Sequence, residues 1–284
     1  MKNILKLVGL FVLMGFSFFY TDKVVEVILE EDNIMIEIQN VKDLYKIDAM
    51  NANISGKTII PGVEGRVVNV DKSYKEMKSI GKFNKNSLVY DEIKPNVSIN
   101  NNKDKFIIKG NSLKQMVSLI FVVNDNKYLD KINKVSIDKD VVINYFVDYD
   151  FLIDNTTLIK KQENSEFYSY GNHGEYMPDN LLFSNNLISR IRDKEALYCL
   201  SSDMDYDVIE LCSGNDLYTI LPTIIGGNNA YNTITKSLES GSIILIDSNF
   251  DNINNLGVII DYIKGKGLKI GGLSELINEE LIDG

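Results

Sequence analysis

The chain has 284 residues, 44% apolar and 25% charged, an ordinary balance for a globular protein with its own core. Forty acidic against 30 basic side chains leave a net charge of −10, which argues against binding a phosphate backbone. One histidine, two cysteines and no tryptophan exclude mechanisms needing two histidines and zinc sites of four cysteines or of two cysteines and two histidines. Asparagine occurs 32 times, a bias of the kind AT-rich codon usage produces, so runs such as Asn100, Asn101 and Asn102 read as polar turns.

In chain order, Lys2 and Lys6 introduce an uncharged, mainly apolar stretch from Leu7 to Tyr20, ahead of the first acid, Asp22. This is the pattern of a signal peptide or signal anchor over residues 1–22. It is short for a free-standing span, which wants about 20 residues, so both cleavage and tethering stay open. Either outcome places the remaining chain on the extracytoplasmic face of the cell membrane or in the cell wall. In such a compartment Cys199 and Cys212 can form a disulfide that contributes about 3 kcal/mol, or they remain two buried thiols.

Residues 23–110 read as a small β-rich module. VVEVILE (24–30) and IMIEIQ (34–39) alternate apolar and polar residues around a turn at 31–33. Pro61, Gly62 and Gly65 mark a turn before a strand ending near Val70. SYKEMKSI (73–80) reads as a short helix capped by Ser73, and SLVYDEI (87–93) and KFIIKG (105–110) as further strands.

From Asn111 the texture changes to strand–helix alternation. MVSLIFVV (116–123) is a continuous apolar, β-branched run, as expected of a strand buried on both faces of a parallel sheet. A helix at 127–135, strands at 141–148 and 241–247, a helix over 256–263 stopped by Gly265 and Gly267, and a last strand at 268–273 follow. The alternation predicts a parallel α/β domain over 111–284.

Four stretches of this domain resemble the polysaccharide deacetylase family (NodB-homology, carbohydrate esterase 4-like). Val117-Ser118-Leu119-Ile120-Phe121 is similar to the opening strand, which in the family precedes two catalytic aspartates. INYFVDYDFL (143–152) is similar to the second strand, Gly171-Asn172-His173 to the start of the metal-ligand motif, and GSIILID with KGKGLKIGGLSEL (264–276) to the last catalytic strand and C-terminal unit. The resemblance implies a distorted (β/α) barrel with fewer strands than the eight-stranded standard. It also implies an enzyme that removes the N-acetyl group of a cell-wall amino sugar with a divalent metal, typically zinc.

Residue by residue, the family's chemistry is missing. The two aspartate positions fall on Val122 and Val123, the second metal histidine on Met177, and the late acid histidine on Asp247. The arginine–proline motif would fall near Tyr198-Cys199-Leu200, which holds neither residue. Only His173 remains, and one imidazole makes no zinc site. Loss of a general base or acid costs about 10²–10⁴-fold each. The expectation is therefore a degenerate, non-catalytic member with no metal and no cofactor. It would bind cell-wall glycan or an envelope protein partner through the former groove, with Tyr170 and Tyr176 as stacking candidates and Tyr168 beside them. The alternative is an active N-deacetylase using zinc and a rearranged site around His173 and Asp247, with Glu175 near by. Asp203, Asp205 and Asp207 lack the glycine and glutamate of a calcium loop, and Gly226-Gly227 reads as a turn.

Overall fold

The computed structural model describes residues 14–17, 32–170 and 178–282. Among them no helix is long and apolar enough to cross a membrane, and nearly all of the expected signal segment lies outside the described residues. The chain divides into two compact units, 1–49 with 64–94, and 50–63 with 95–284.

The first unit contains helix α1 (Asn33–Val41), helix α2 (Val70–Ile80) and an antiparallel pair of strands, Gly65–Val68 with Tyr90–Ile93. The expected strand at 34–39 is helix α1. Asp32 caps it by accepting the Ile34 N–H at 2.9 Å, and Ile34, Met35 and Ile38 share the buried face. A run of alternate isoleucines satisfies both periods, and the cap decides between them. The helix expected at 73–80 is found, but Asn69 caps it and Ser73 lies inside it, buried. Residues 24–30 lie outside the described residues. The described part of this unit is thus mixed helix and strand, not β-rich.

In the second unit the strands are β1 (Thr58–Ile60), β2 (Phe106–Ile107), β3 (Met116–Val123), β4 (Ile143–Val147), β5 (Ser165–Ser169), β6 (Tyr198–Leu200), β7 (Tyr218–Ile220), β8 (Ile224–Ile225), β9 (Ile243–Leu245) and β10 (Lys269–Ile270). The helices are α3 (Leu129–Asp138), α4 (Tyr149–Asp154), α5 (Thr156–Lys161), α6 (Pro178–Arg192), α7 (Tyr206–Gly214), α8 (Ala230–Ser237), α9 (Phe250–Gly265) and α10 (Leu273–Ile277). One parallel sheet runs β8-β9-β3-β4-β5, with β10 added beside the start of β3. The other runs β1-β2-β7-β6, with Asn53–Ser55 hairpinned onto β1. The sheets meet on one side where the rings of Tyr168 and Tyr198 lie 5.1 Å apart, edge to face. On the other side the Gly110 N–H donates to the Gly241 carbonyl at 2.9 Å, next to a Lys109–Ser242 bridge. The result is a distorted parallel barrel wrapped by helices.

Strands β1 and β2 therefore belong to the barrel and not to a contiguous module ending at 110. Each pairs in parallel with a neighbour, β2 with β7 more than 100 residues further along, a pairing that local alternation cannot show. Strand β3 is buried along its whole length except at Val122, which is half-buried. Its neighbours place Ile120 opposite Leu245 and Val123 opposite Val147. Cys199 on β6 and Cys212 on α7 are bonded, both fully buried among Leu181, Val208 and Leu217.

Phe121→Ala removes a fully buried ring from the centre of β3. It is expected to lower stability by about 4 kcal/mol, read as a fall in the urea unfolding midpoint.

Candidate functional site

In parallel α/β folds the ligand cleft lies at the carboxyl ends of the strands, because the strand-to-helix loops converge there. Here that end of β3 is apolar. Val122 and Val123 finish the strand, with Val123 buried. Beside them is a cleft of about 60 Å³ lined by Val122, Val123, Asn124, Asp125, Tyr128 and Ser248. Neither valine can ligate a metal or move a proton.

Asp247 follows β9, which hydrogen-bonds to β3. Its backbone is pinned: the carbonyl accepts the Asn249 N–H at 2.8 Å and the Asn252 Nδ2–H at 3.0 Å. Its side chain is exposed. Asp148, at the end of β4, is buried and caps α4 by accepting the Phe151 N–H at 2.7 Å. His173, Glu175, Tyr176 and Met177 lie outside the described residues. Among the described residues no three histidine, cysteine or acidic side chains gather in a way that could hold a metal. The residues present at the family's ligand positions do not fit zinc.

Tyr168 is not a cleft residue. It is 2% exposed, and its hydroxyl donates to Glu166 at 2.5 Å, so it serves the interior. Tyr170 is half-buried, its N–H donates to the Val147 carbonyl at 2.7 Å, and burial pushes its phenol up.

A polar network that the sequence reading did not anticipate lies at the other end of the strands. Asn144 donates to the Leu119 carbonyl at 3.0 Å and accepts the Leu273 N–H at 2.7 Å, while Ser118 donates to the Gly271 carbonyl at 2.8 Å. Next to them Glu166, 7% exposed, accepts from Lys194, from the Ser274 hydroxyl, from the Ser274 N–H at 3.0 Å and from Tyr168. Burial pushes the Glu166 carboxyl up, but these donors together outweigh it and hold the group below the usual carboxylate range. A Cβ at residue 272 would lie 2.4 Å from the Glu166 carboxyl carbon, so any larger residue there would displace that carboxylate from its donors. A lone polar residue in a strand carries no periodic signal, so only the folded structure shows that Asn144 and Glu166 face inward.

At this amino-terminal end there is also a cavity of about 240 Å³ whose lining includes Lys114, Met116, Lys269, Glu275 and Asn278. Burial pushes Lys114 down to about 8. Its ammonium is committed to the carbonyls of Glu275 and Asn278, each at 2.6 Å, so this end is locked structurally.

No family model matches the chain. Solved structures give a clear answer on architecture: the chain has the fold of the polysaccharide deacetylases of carbohydrate esterase family 4. It is similar to BA3943, a family 4 pseudoenzyme from Bacillus anthracis, with 24% identity, a TM-score of 0.67, and coverage of 89% of this chain and 98% of that one. A BA3943 mutant with restored enzymatic activity matches equally, at a TM-score of 0.66 over 88% of this chain and 100% of the mutant. PdaA of Bacillus subtilis, a family 4 carbohydrate esterase, matches over 60% of this chain and 84% of its own, with 19% identity and a TM-score of 0.52. By sequence the chain is 27% identical over 277 residues to the uncharacterized protein YlxY of Bacillus subtilis, covering 90% of this chain and 86% of YlxY.

Because Glu166 is depressed in the folded state, its contribution is present above the unfolded carboxyl value of about 4.3 and is lost as pH falls through the folded value. Lys194 is half exposed, so Lys194→Met should destabilise by only about 1–2 kcal/mol at pH 7. Urea unfolding should show that difference shrinking as pH falls below the unfolded carboxyl value of about 4.3 and disappearing once the folded carboxyl is itself protonated.

Proposed function

We propose that this chain is a degenerate, non-catalytic member of the polysaccharide deacetylase family, exported and held at or near the cell envelope, that binds cell-wall glycan. The observation that carries the loss of catalysis is the end of β3: two valines at the positions of the family's aspartates, one of them buried. Asp247 stands where the family places its late histidine, so the imidazole that would protonate the leaving amine is absent. Similarity to a family 4 pseudoenzyme over nearly its whole length supports the same reading.

Export is supported by the charged-then-apolar N-terminal pattern and by the bonded pair Cys199–Cys212, since disulfides persist in oxidising compartments. Glycan as the ligand class is supported by the fold. One family 4 protein that matches over 61% of this chain is a peptidoglycan N-acetylglucosamine deacetylase. A groove that keeps its frame while losing its metal can still bind.

Metal analysis of the purified full chain should find no stoichiometric zinc, and His173→Ala should leave glycan retention unchanged. One tightly held zinc, or amide hydrolysis abolished by His173→Ala, would overturn the non-catalytic reading in favour of a rearranged deacetylase. The substitutions Val122→Asp, Val123→Asp, Met177→His and Asp247→His, made together, should raise zinc content from background to about one per chain, since they complete the three-ligand minimum.

A further inference from the structure

The negative charge of the chain is concentrated. From Glu195 to Asp261 there are ten acidic residues and one lysine, Lys236, which accounts for nine of the ten net negative charges. Within this stretch two loops leave the carboxyl ends of β6 and β9 and enter α7 and α9, and both helices begin alike. Each has an Asx N-cap, an aromatic first residue and then an aspartate: Asp205, Tyr206 and Asp207 in one, Asn249, Phe250 and Asp251 in the other.

The caps and the aspartates have a local explanation, since they satisfy and complement the first turn of a helix. The aromatics do not. Tyr206 is 56% exposed and Phe250 67%, and Met204 in the segment after β6 and Ile225 at the end of β8 are 51% and 46% exposed. The Tyr206 ring lies edge to face with Phe106 at 6.4 Å, which holds it in place while much of it stays open. Asp203, Asp207, Asp247 and Asp251 on the same two segments are exposed, and among the described residues none of the four is in an ion pair. The segments that follow β6, β8 and β9 at the carboxyl ends of these strands thus carry exposed apolar and aromatic side chains together with carboxylates outside any ion pair.

We infer that this rim docks an amine-bearing glycan, a de-N-acetylated amino-sugar polymer, in preference to its neutral N-acetylated form. The inference rests on the glycan-binding reading above and specifies the chemical form. A pyranose presents an apolar C–H face to an aromatic ring, and a free amino group is an ammonium that pairs with carboxylate and is also attracted to a ring face. The N-acetylated form satisfies the rings but leaves the carboxylates without a counter-charge. Phosphate-rich surfaces are repelled by the same charge.

Binding of the full chain is measured against a hexamer of N-acetylglucosamine, its fully de-N-acetylated counterpart, and oligolysine of equal charge. The de-N-acetylated hexamer should bind about tenfold tighter than the acetylated one, as two or three exposed ion pairs would give. The preference should vanish in about 1 M salt, where charges are screened beyond about 3 Å. The triple variant Asp203→Asn, Asp207→Asn and Asp251→Asn should equalise the two hexamers, and Tyr206→Ala with Phe250→Ala should weaken both, each in a chain that still unfolds in one cooperative transition. Equal binding of the two hexamers by the unaltered chain sinks this inference and leaves the glycan reading standing. Failure to bind either one sinks both. Oligolysine bound as tightly as the de-N-acetylated hexamer shows that the rim reads charge alone and overturns the assignment to a sugar.

Discussion

The strand Met116–Val123 is hydrogen-bonded to β9 on one flank and to β4 on the other, with β10 beside its start. A strand so placed has no face on water, so its side chains must be apolar or individually satisfied. Ser118 obeys the second condition through the Gly271 carbonyl, and the rest obey the first. The sheet, the helices packed on it and the position of the mouth all follow from this central strand. The apolar character that suits the buried part of the strand also continues through its last two residues, Val122 and Val123.

The two ends of the barrel have divided their roles. Asn144, Glu166, Ser118 and the backbone around Gly271 to Ser274 form a satisfied polar network at the amino-terminal end, where it fixes the C-terminal helix against the strands. A fully satisfied buried network specifies one arrangement, whereas a partial one would be costly. Lys114 strengthens the same closure through the carbonyls of Glu275 and Asn278. The carboxyl-terminal end has no comparable set of buried charges among the described residues. At that end Asp203, Asp207, Asp247 and Asp251 are exposed, whereas Asp148 is buried and caps α4.

Legibility varied with how local the signal was. The run 116–123 matches β3 residue for residue, and the helix stopped at Gly265 and Gly267 is found as α9, with Gly267 at a φ of +79°. The run 34–39 misleads, because Ile34, Ile36 and Ile38 alternate while Ile34 and Ile38 also share a helical face; the Asp32 cap carries the decision. Tyr168 looks like a cleft aromatic beside Tyr170, yet β5 turns it inward onto Glu166. The candidate site divides in the same way: the resemblance marks Val122, Val123 and Asp247 as departures from the family's pattern, and their identities are read directly from the sequence. The exposure of Tyr206 and Phe250 is not, because an aromatic at the start of a helix gives no sign of which side water will reach.

By itself the sequence determined the identities that chemistry depends on. It established that one histidine is present, that the apolar run 116–123 ends in two valines, that the net charge is −10, and that a buried apolar strand opens an alternating α/β domain. These are properties of single residues and of short periodic runs, and folding does not alter them. The tertiary structure alone decided that Thr58–Ile60 and Phe106–Ile107 join the barrel, that Glu166 is buried beside Lys194, and that Cys199 bonds Cys212. Each of these depends on partners separated by a dozen to more than a hundred residues. Such pairings are chosen by which faces can be buried together, and no local pattern records them.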